Sequence, residues 1–302
     1  MKLFAGIDGG QSSTIAVVAD EHKTILGRGV AGPCDHIGQA PDSPRFARAL
    51  EGAIAAALVD AKLPADSEFE AIVAGISGYE GVIHGLAPLL RARRVSYVHD
   101  ARIAHAGAFE LRDGIVVIAG TGSVAYGRDV RGNETTVGGW GFLFGDEGSA
   151  FVIARDALAS AMHSEDAGRS SELVGAAQRF FELPSLRTVA RGFYTGVIDR
   201  KTLASFAKPV VVAAQAGDPE AGSVTLHAAH ALGALAATCA SRLGIAGAIE
   251  VALCGGMFES DWFRARATEQ IGLVLPEAQV VPSHTDPAGG ALLLAYKEGA
   301  DI

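Results

Sequence analysis

Short apolar runs alternate with polar turns at the start of the chain. Residues 3–7 and 15–19 are apolar runs that flank a glycine-rich turn, which predicts two strands. The segment EHKTILGRG then predicts a charged turn and a third strand. Because each connection is short, we expect these three strands to form an antiparallel meander.

The next segment has the spacing of an amphipathic helix. Ser43 is its predicted N-cap and Pro44 its first helical residue. Its apolar positions recur every four residues, at Phe46, Leu50, Ile54 and Leu58. Two short buried strands, EAIVAGISG and VSYVHD, are predicted next, and the second leads into a helix that starts at Ala101.

The strand plan then restarts. Residues 114–139 repeat the order of residues 4–29, which is strand, glycine and hydroxyl turn, strand, charged turn, strand. Helices are predicted at about 149–163 and 219–243, and IEVALCGGMFES predicts a strand that meets a glycine pair. Two further helices are predicted in DWFRARATEQIG and DPAGGALLLAYKEG. The pattern therefore predicts an α/β protein with two related lobes.

The length of the chain agrees with two lobes, and its net charge limits the classes of binding partner. The chain has 302 residues, of which 49% are hydrophobic, and this is near the size at which one core divides into two. Its 25 basic and 34 acidic residues give a net charge of −9, which argues against nucleic acid or an anionic membrane as the main partner. We expect a small-molecule substrate.

Cysteine usage and the N-terminus bear on location. The three cysteines lack CxxC spacing, so we expect reduced thiols, no zinc site and a cytoplasmic protein. The apolar run in MKLFAGID stops at Asp8, which is too early for a secretory signal. The most apolar region is interrupted by histidine, arginine and glutamate, so no membrane span is expected.

Two glycine-rich turns are the candidate ligand-binding segments. DGGQSST and GTGS lack bulky side chains, so a ligand can approach their backbone N–H groups and hydroxyls, a combination that suits phosphate oxygens. Neither turn contains lysine, so this is not a P-loop, and a divalent cation must share the phosphate charge. Either turn alone could be an ordinary hairpin. The predicted nucleotide-binding residues are Asp8, which would also hold Mg²⁺ through water, Gly9, Gly10, Gln11, Ser12, Ser13, Thr14, Gly120, Thr121, Gly122 and Ser123.

Five segments, taken in order, carry a family resemblance. FAGIDGGQSST, HDARIAHAG, VIAGTGSVAYG, GGWGFLFGDEGSAFVIARDAL and VALCGGMF resemble the N-acetylglucosamine kinase branch of the BadF/BadG/BcrA/BcrD-type ATPase family, which belongs to the superfamily of actin, hexokinase and heat-shock chaperone ATPases. The resemblance covers essentially the whole chain, and GGWGxxxGDEGSA is its most specific piece.

The resemblance implies a fold and its cofactors. It implies two ribonuclease-H-like lobes, each with a five-stranded mixed sheet and flanking helices. We place the N-terminal lobe at 1–112, completed by a helix at 287–302, and the C-terminal lobe at 113–286. It also implies ATP and Mg²⁺ in a cleft, phosphoryl transfer to a sugar hydroxyl, and a homodimer.

The resemblance also assigns residues. Gly255, Gly256 and Met257 match the adenosine motif, and Asp100 matches the general base. A carboxylate at the end of a buried strand can accept the proton of a sugar hydroxyl, although Asp100 could equally be the N-cap of the following helix.

A set of residues matches the sugar pocket: Asp35, His36, Asp100, Thr121, Gly139, Trp140, Asp146 and Glu147. Asp146 and Glu147 could instead favour the dipole of the next helix, and an isolated tryptophan such as Trp140 is more often a core residue. Asp35 stands where sugar kinases of this family commonly have asparagine. An ionised carboxylate only accepts hydrogen bonds, so glucosamine is kept beside N-acetylglucosamine as a substrate.

The expected function is phosphorylation of an amino sugar at its 6-hydroxyl. One alternative is an ATPase that activates a radical dehydratase or reductase, which needs clustered cysteines, whereas Cys239 and Cys254 lie far apart in sequence. The other is a sugar-responsive regulator, which usually carries a basic DNA-binding segment, and the chain begins directly with its first phosphate strand.

Overall fold

The computed structural model describes residues 1–34 and 36–300. Contacts divide the chain into two compact units. The N-terminal unit comprises residues 1–116 and 282–302, and the central unit comprises residues 117–281.

Each unit contains a sheet of five strands. The strands of the first sheet are β1 (Leu3–Gly9), β2 (Thr14–Asp20), β3 (Ile25–Ala31), β4 (Phe69–Ile76) and β5 (Ala92–His99). Those of the second are β6 (Gly114–Ala119), β7 (Ser123–Arg128), β8 (Glu134–Gly138), β9 (Ile249–Cys254) and β10 (Ala278–Val281).

The helices have the following bounds: α1 (Arg45–Asp60), α2 (Asp100–Phe109), α3 (Ala150–Asp166), α4 (Glu172–Phe181), α5 (Leu186–Tyr194), α6 (Arg200–Ser205), α7 (Ala207–Gln215), α8 (Pro219–Leu243), α9 (Asp261–Val274) and α10 (Pro287–Ala300). A 3₁₀ helix spans Gly256–Glu259. The sequence pattern did not predict α4 to α7 or β10.

The sheet of the N-terminal unit has the order β3-β2-β1-β4-β5. Strands β1, β2 and β3 pair antiparallel, so the predicted meander is confirmed. Strands β4 and β5 continue the sheet in parallel with β1, which directs the carboxyl ends of all three to one edge. Asp8 and Asp100 lie at that edge because they occur where β1 and β5 end.

Apolar residues cover both faces of this sheet. Phe46 and Leu50 of α1 are buried against Ile7 and Ile72 on one face. On the other face, α2 and α10 pack together and against the sheet, with their buried residues joining one apolar cluster. The helix that ends the chain therefore completes the unit that begins it.

Glycines allow α10 to pack closely. A Cβ added at Gly6 of β1 would collide with the backbone of Leu292, and one added at Gly290 would collide with the backbone oxygen of Ile103 in α2. Because backbone atoms are the obstacles, a side-chain rotation could not relieve either collision. Glycine at both positions sets the distance between these elements.

The start of α1 differs from the prediction. The N-cap residue is Pro44, no side chain caps the helix, and the first helical residue is Arg45. The predicted cap, Ser43, donates its hydroxyl to Gln39 Oε1 at 3.0 Å. Its carbonyl oxygen accepts the N–H of Leu86 at 2.9 Å. The prediction of Ser43 as N-cap was wrong because these contacts hold Ser43 in the preceding loop.

The sheet of the central unit has the order β10-β9-β6-β7-β8. Strands β7 and β8 pair antiparallel and β9 and β10 pair parallel, as the corresponding strands of the first sheet do. The predicted restart of the strand plan is thus confirmed in the order of the strands. In each sheet the first strand is central and a glycine turn joins it to the second.

Helix α8 is the core helix of the central unit. In the part of the chain that the structure describes, it is the one helix long and apolar enough to cross a membrane. It packs against α3, α7 and α9 and against strands β7 and β8. Leu232, Ala236 and Cys239 on this helix are buried. Its apolar composition is therefore accounted for by packing within this unit.

Candidate active site

The first glycine turn joins β1 to β2. It is closed by a hydrogen bond from Gly10 N to Ser13 O at 3.0 Å. A Cβ at Gly9 would lie 2.6 Å from Cys34 Sγ and 2.8 Å from Ile76 Cδ1, so packing requires glycine there. Thr14 is buried and donates its hydroxyl to Gly32 O at 2.8 Å. The side chains left partly or fully exposed on this turn are Gln11, Ser12 and Ser13.

Asp8 is the penultimate residue of β1, beside this turn, and is partly buried. Its pKa is raised from 3.8 to about 7, chiefly by burial and then by the charges of Asp100 and Asp286. The structure therefore brings the predicted metal-binding residue and the predicted base close enough to repel each other. A cation beside Asp8 would relieve this repulsion.

Asp286 was missed by the sequence analysis. It precedes α10, and its Oδ1 accepts the N–H of Gly289 at 2.8 Å, as the side chain of an N-cap does. Arg28 Nη1 donates to its Oδ2 at 2.6 Å. Burial raises the pKa of Asp286, but these two partners lower it more, so the net shift is downward. The Asp-Pro pair before a helical segment is a signal that could have identified this cap.

Asp100 is the first residue of α2. The N-cap is His99, whose Nδ1 accepts the N–H of Ala101 at 3.1 Å, so the alternative interpretation of Asp100 as N-cap was wrong. His99 Nδ1 also lies 2.8 Å from Asp100 Oδ1. A protonated His99 can form an ion pair with Asp100 at that distance. Among the described residues, none forms a directional hydrogen bond with the buried Asp100 Oδ1.

The second glycine turn joins β6 to β7. Gly120 N donates to Gly122 O at 2.9 Å, which closes the turn. A Cβ at Gly120 would meet no protein atom within 4 Å, and its backbone does not need glycine for a positive φ. Neither packing nor backbone conformation explains glycine at this position. Close approach of a ligand to the backbone would explain it.

The segment 138–149, GGWGFLFGDEGS, which we call the signature loop, is bonded directly to the second turn. Gly139 N donates to Ser123 O at 3.0 Å, and Ser123 Oγ donates to Glu147 O at 2.7 Å. Ala150 N, just after the loop, donates to Gly120 O at 2.8 Å. The hydroxyl of Ser123 therefore holds the loop, and Thr121 supplies the partly exposed hydroxyl of this turn.

Asp146 lies at the centre of these contacts. It is 4% exposed and has a φ of +62°, a left-handed conformation that is uncommon for residues other than glycine. Its Oδ1 accepts the N–H of Ser123 at 3.4 Å, and its Oδ2 accepts from Arg200 Nη2 at 3.1 Å. Burial raises its pKa, against the amides of Ser123 and Gly141 and the charge of Arg200. Sequence analysis did not identify Arg200.

The rest of the signature loop presents large side chains to solvent. Trp140 is 77% exposed, so the alternative interpretation of it as a core residue was wrong. Leu143 and Phe144 are also exposed, and the backbone at Gly139 and the side chain of Glu147 are accessible. An exposed aromatic ring beside an accessible carboxylate suits a sugar, which has an apolar ring face and hydroxyl donors.

The loop after β3 holds the two remaining sugar-pocket residues. Asp35 lies outside the described residues. His36 is buried, its ring 5.8 Å from that of Phe46 and 5.9 Å from that of His84. The structure therefore places His36 in an aromatic cluster beside α1, and its contact with a sugar stays a prediction.

The predicted adenosine motif follows β9. Gly255 has a φ of +104°, and a Cβ there would lie 2.5 Å from Ala119 O at the end of β6. This contact places the motif next to the second glycine turn within the central unit. A Cβ at Gly256 would meet nothing within 4 Å, whereas the side chain of Met257 is buried. At both Gly256 and Gly120, therefore, no neighbouring protein atom requires the residue to be glycine.

A bound magnesium ion fits the Asp8 region. Among the described residues, no group of three or more histidine, cysteine, aspartate or glutamate side chains could enclose a metal. Mg²⁺ usually keeps several waters and takes only one or two carboxylates, with substrate phosphates as further ligands. Asp8, with its raised pKa and two neighbouring carboxylates, is suited to that limited role.

Comparison with known proteins identifies the family. The model of the BadF/BadG/BcrA/BcrD ATPase family matches residues 5–295. The chain belongs to this family. The resemblance stated from the sequence motifs is therefore confirmed.

Two curated relatives match this family member over nearly their full length. The N-acetylmuramic acid/N-acetylglucosamine kinase of Clostridium acetobutylicum is 29% identical, with 99% of each chain covered. The N-acetyl-D-glucosamine kinase of Dictyostelium discoideum is 28% identical, with 97% of this chain and 98% of that protein covered.

Solved structures confirm the fold class. A Chromobacterium violaceum protein assigned as an N-acetylglucosamine kinase is 28% identical, with a TM-score of 0.78 and coverage of 98% of this chain and 99% of its own. A ROK family glucokinase from Streptomyces griseus, solved with glucose and AMPPNP, has a TM-score of 0.61 at 18% identity, covering 98% and 99%. The latter likeness shows the fold alone. The two five-stranded mixed sheets are thus those of the actin-like, ribonuclease-H-like lobes.

Proposed function

We propose that this protein is an ATP-dependent kinase that phosphorylates an amino sugar at its 6-hydroxyl. The observation that carries the proposal is the match to two amino sugar kinases over nearly the whole length of both chains. The site residues support it, because each unit holds a glycine turn with accessible backbone, and the predicted base has a buried carboxylate oxygen without a directional hydrogen bond among the described residues.

Asp100 is the proposed general base. It would accept the proton of the sugar hydroxyl while the hydroxyl oxygen forms a bond to the γ-phosphorus. The bond from the γ-phosphorus to the β–γ bridging oxygen breaks at the same time, and ADP leaves with that oxygen. Mg²⁺, held by Asp8 through water, would neutralise phosphate charge when bound.

Backbone amides are proposed to contact the phosphates. The N–H groups of Gly10 and Gly120 close their own turns, which leaves the partly or fully exposed Gln11, Ser12 and Ser13 on the first turn and Thr121 on the second. Their N–H groups supply partial positive charge without a lysine, and Gly256 would let the nucleotide approach the end of β9. Trp140 and Glu147 are proposed to contact the sugar.

N-acetylglucosamine is the first proposed substrate, with N-acetylmuramic acid and glucosamine as further candidates. The names of both curated relatives favour an N-acetylated sugar. Asp35, in place of the family's usual asparagine, keeps glucosamine in the comparison. Turnover of both sugars by the wild type and by Asp35→Asn tests this residue. An unchanged preference would remove Asp35 from the choice of substrate.

A coupled assay of ADP release tests the function. The panel comprises N-acetylglucosamine, glucosamine, N-acetylmuramic acid, N-acetylmannosamine and glucose, each with ATP and Mg²⁺. We expect sugar-dependent ADP release with at least one amino sugar, and two-dimensional ¹H–³¹P NMR of the product should show phosphorus coupled to the protons on C6. ADP release that no sugar accelerates would contradict the proposal.

The activator ATPase is the second candidate, since the activator of the 2-hydroxyisocaproyl-CoA dehydratase from Clostridium difficile shares the fold at 12% identity and a TM-score of 0.50. Such a protein couples ATP hydrolysis to an iron–sulfur cluster. Of the cysteines, Cys34 and Cys239 are buried and Cys254 is partly buried. Measured iron in the purified protein separates the two functions, and we expect none.

We further propose that the protein is a cytoplasmic homodimer. Light scattering after size-exclusion chromatography would check its oligomeric state.

A further inference from the structure

Arg200 is the first residue of α6. It contacts the signature loop in two ways, through its planar face on Phe142 and through its charge on Asp146. Its guanidinium carbon lies 4.8 Å from the ring centroid of Phe142 and 5.7 Å from that of Phe151. The two rings pack edge to face at 4.9 Å, so they form an apolar seat for the planar group. The same guanidinium donates to Asp146 Oδ2 at 3.1 Å.

The carboxylate that Arg200 holds lies against the second glycine turn. A Cβ at Gly122 would lie 2.9 Å from Asp146 Oδ2, and Ser123 N–H is directed at Oδ1. A left-handed aspartate buried to 4% exposure is costly unless its partners stabilise it. The charge on Arg200 offsets part of that cost, and removing it would leave the buried carboxylate without its cationic partner.

We propose that Arg200 is a positioning residue, which fixes Asp146 between the second glycine turn and the signature loop and so sets the loop for the sugar. This inference rests on the proposed function. It predicts that the guanidinium acts through Asp146 and Phe142 and makes no contact with the reacting atoms. Loss of Arg200 should then weaken sugar binding more than it slows the chemical step.

Arg155 provides a matched control in the same unit. It pairs with Asp156 at 2.8 Å, but both side chains are nearly half exposed, so the pair contributes little. Arg200→Met keeps an unbranched side chain that can pack on the rings and removes the charge. Arg155→Met makes the same change at the surface.

The test compares sugar KM and kcat in these variants at saturating ATP. For Arg200→Met we expect a sugar KM raised by about tenfold or more, with kcat within about threefold of the wild type, because the effect is on binding geometry. Arg155→Met should match the wild type in both. Arg200→Met with unchanged sugar KM, or with kcat reduced and KM unchanged, would overturn the inference.

A double-mutant cycle separates positioning from a general structural effect. If Arg200 acts through Asp146, then Arg200→Met combined with Asp146→Asn should raise the sugar KM no more than Asp146→Asn alone. Additive effects would show that Arg200 acts by another route. Arg200→Lys keeps the charge but lacks the planar group, so it should give an intermediate KM.

Hydrogen exchange gives a readout that needs no substrate. Amides of residues 138–149 and of Ser123 should exchange faster in Arg200→Met than in the wild type or in Arg155→Met. Should Arg200→Met fail to fold, Arg200→Lys serves in its place, and unchanged exchange there would overturn the inference. A wild type that phosphorylates no sugar would refute the proposed function, while this exchange experiment would still decide the role of Arg200.

Discussion

His99 Nδ1 lies 2.8 Å from Asp100 Oδ1, directly beside the proposed base. The same nitrogen accepts the N–H of Ala101 when its lone pair is free, and only a protonated Nδ1 can donate to the carboxylate. The position of one proton therefore decides which neighbour His99 engages. Either choice keeps the imidazole at the N-terminus of α2 and next to Asp100.

The titration of His99 should report this contact. Burial lowers the pKa of His99, but contact with Asp100 and the charges of Asp100 and Glu80 raise it more, so the net shift is upward. Asp100→Asn should therefore lower the pKa of His99, measured from its imidazole proton resonances by NMR. Glu80→Gln serves as the comparison and should lower it less. An equal pKa in wild type and Asp100→Asn would show that the two side chains are not coupled.

The same contact has a defined effect on stability. A histidine whose pKa is raised by folding stabilises the protein fully below the pKa of the unfolded chain, and this contribution is lost as pH rises through the folded value. The contribution of the His99 contact to the free energy of unfolding should therefore be lost as pH rises from 6.5 through the higher pKa of the folded state.

Asp100→Asn should also reduce turnover strongly. If Asp100 accepts the proton of the sugar hydroxyl, we expect kcat to fall by on the order of 10²–10⁴. Nucleotide affinity, measured by calorimetry with Mg²⁺ and a non-hydrolysable ATP analogue, should change little because no phosphate contact is lost. Turnover near the wild-type level would remove Asp100 from the mechanism.

Asp8 should destabilise the metal-free protein near neutral pH. Its pKa is about 7 in the folded state against an ordinary 3.8, so the folded protein binds more protons than the unfolded chain between these values. The free energy of unfolding should therefore fall as pH rises through this window. Asp8→Asn removes the ionisation and should raise that free energy by on the order of 2–4 kcal/mol at about pH 8.

Denaturant unfolding at several pH values checks this prediction. The gain from Asp8→Asn should shrink as pH falls from about 7 and vanish below about pH 3, where the carboxyl group is protonated in both states. The same substitution at the exposed Asp42 serves as the surface control. An Asp8→Asn variant less stable than the wild type at about pH 8 would show that burial does not disfavour the charged form.

Gly120→Ala and Gly256→Ala should separate folding from nucleotide binding. A methyl group at either position meets no protein atom within 4 Å, so the melting temperature should stay within a few degrees. Affinity for the Mg²⁺ complex of a non-hydrolysable ATP analogue should fall by about tenfold or more if the nucleotide approaches these atoms. Gly247→Ala, equally unobstructed but outside the predicted motifs, should bind normally. Unchanged affinity in all three variants would contradict the assigned turns.

Gly290→Ala should destabilise the protein without touching a predicted ligand contact. The added methyl group would collide with the backbone oxygen of Ile103 and with Gly107 N, so α10 must move away from α2. We expect a loss of on the order of 1–3 kcal/mol, typical of overpacking. Gly272→Ala, an exposed helical glycine with open space around it, should be neutral or slightly stabilising. Equal stability of both variants would show that α10 does not pack this closely.

The sheets could be predicted because local patterns determine them. Apolar runs and glycine turns predicted the first three strands of each half, and the repeat of residues 4–29 at 114–139 related the two halves, whereas β10 was not predicted. Helices α4 to α7 contain only 6 to 10 residues each, and segments of so few turns were not recognised as helices. Caps such as Ser185 and Asp199 were present as signals.

The turns of the site could be predicted, but their supports could not. Asp8, Asp100 and the two glycine turns belong to contiguous motifs. Arg28 reaches Asp286 across 258 positions and Arg200 reaches Asp146 across 54, and nothing local links either pair. Ser123 shows the same limit, because its hydroxyl was expected at phosphate and is bonded to the signature loop. Roles that depend on tertiary contacts need the folded chain.

The return of α10 to the N-terminal unit affects the order of events during synthesis. Residues 117–281 are contiguous, so the ribosome releases the central unit whole and it can fold as it emerges. The first strand, by contrast, is translated early but gains its partner helix only after residue 287 has left the exit tunnel. Until then Phe4 and Val17 lack part of their apolar cover. Nascent chains should therefore expose this apolar surface to chaperones until α10 has emerged.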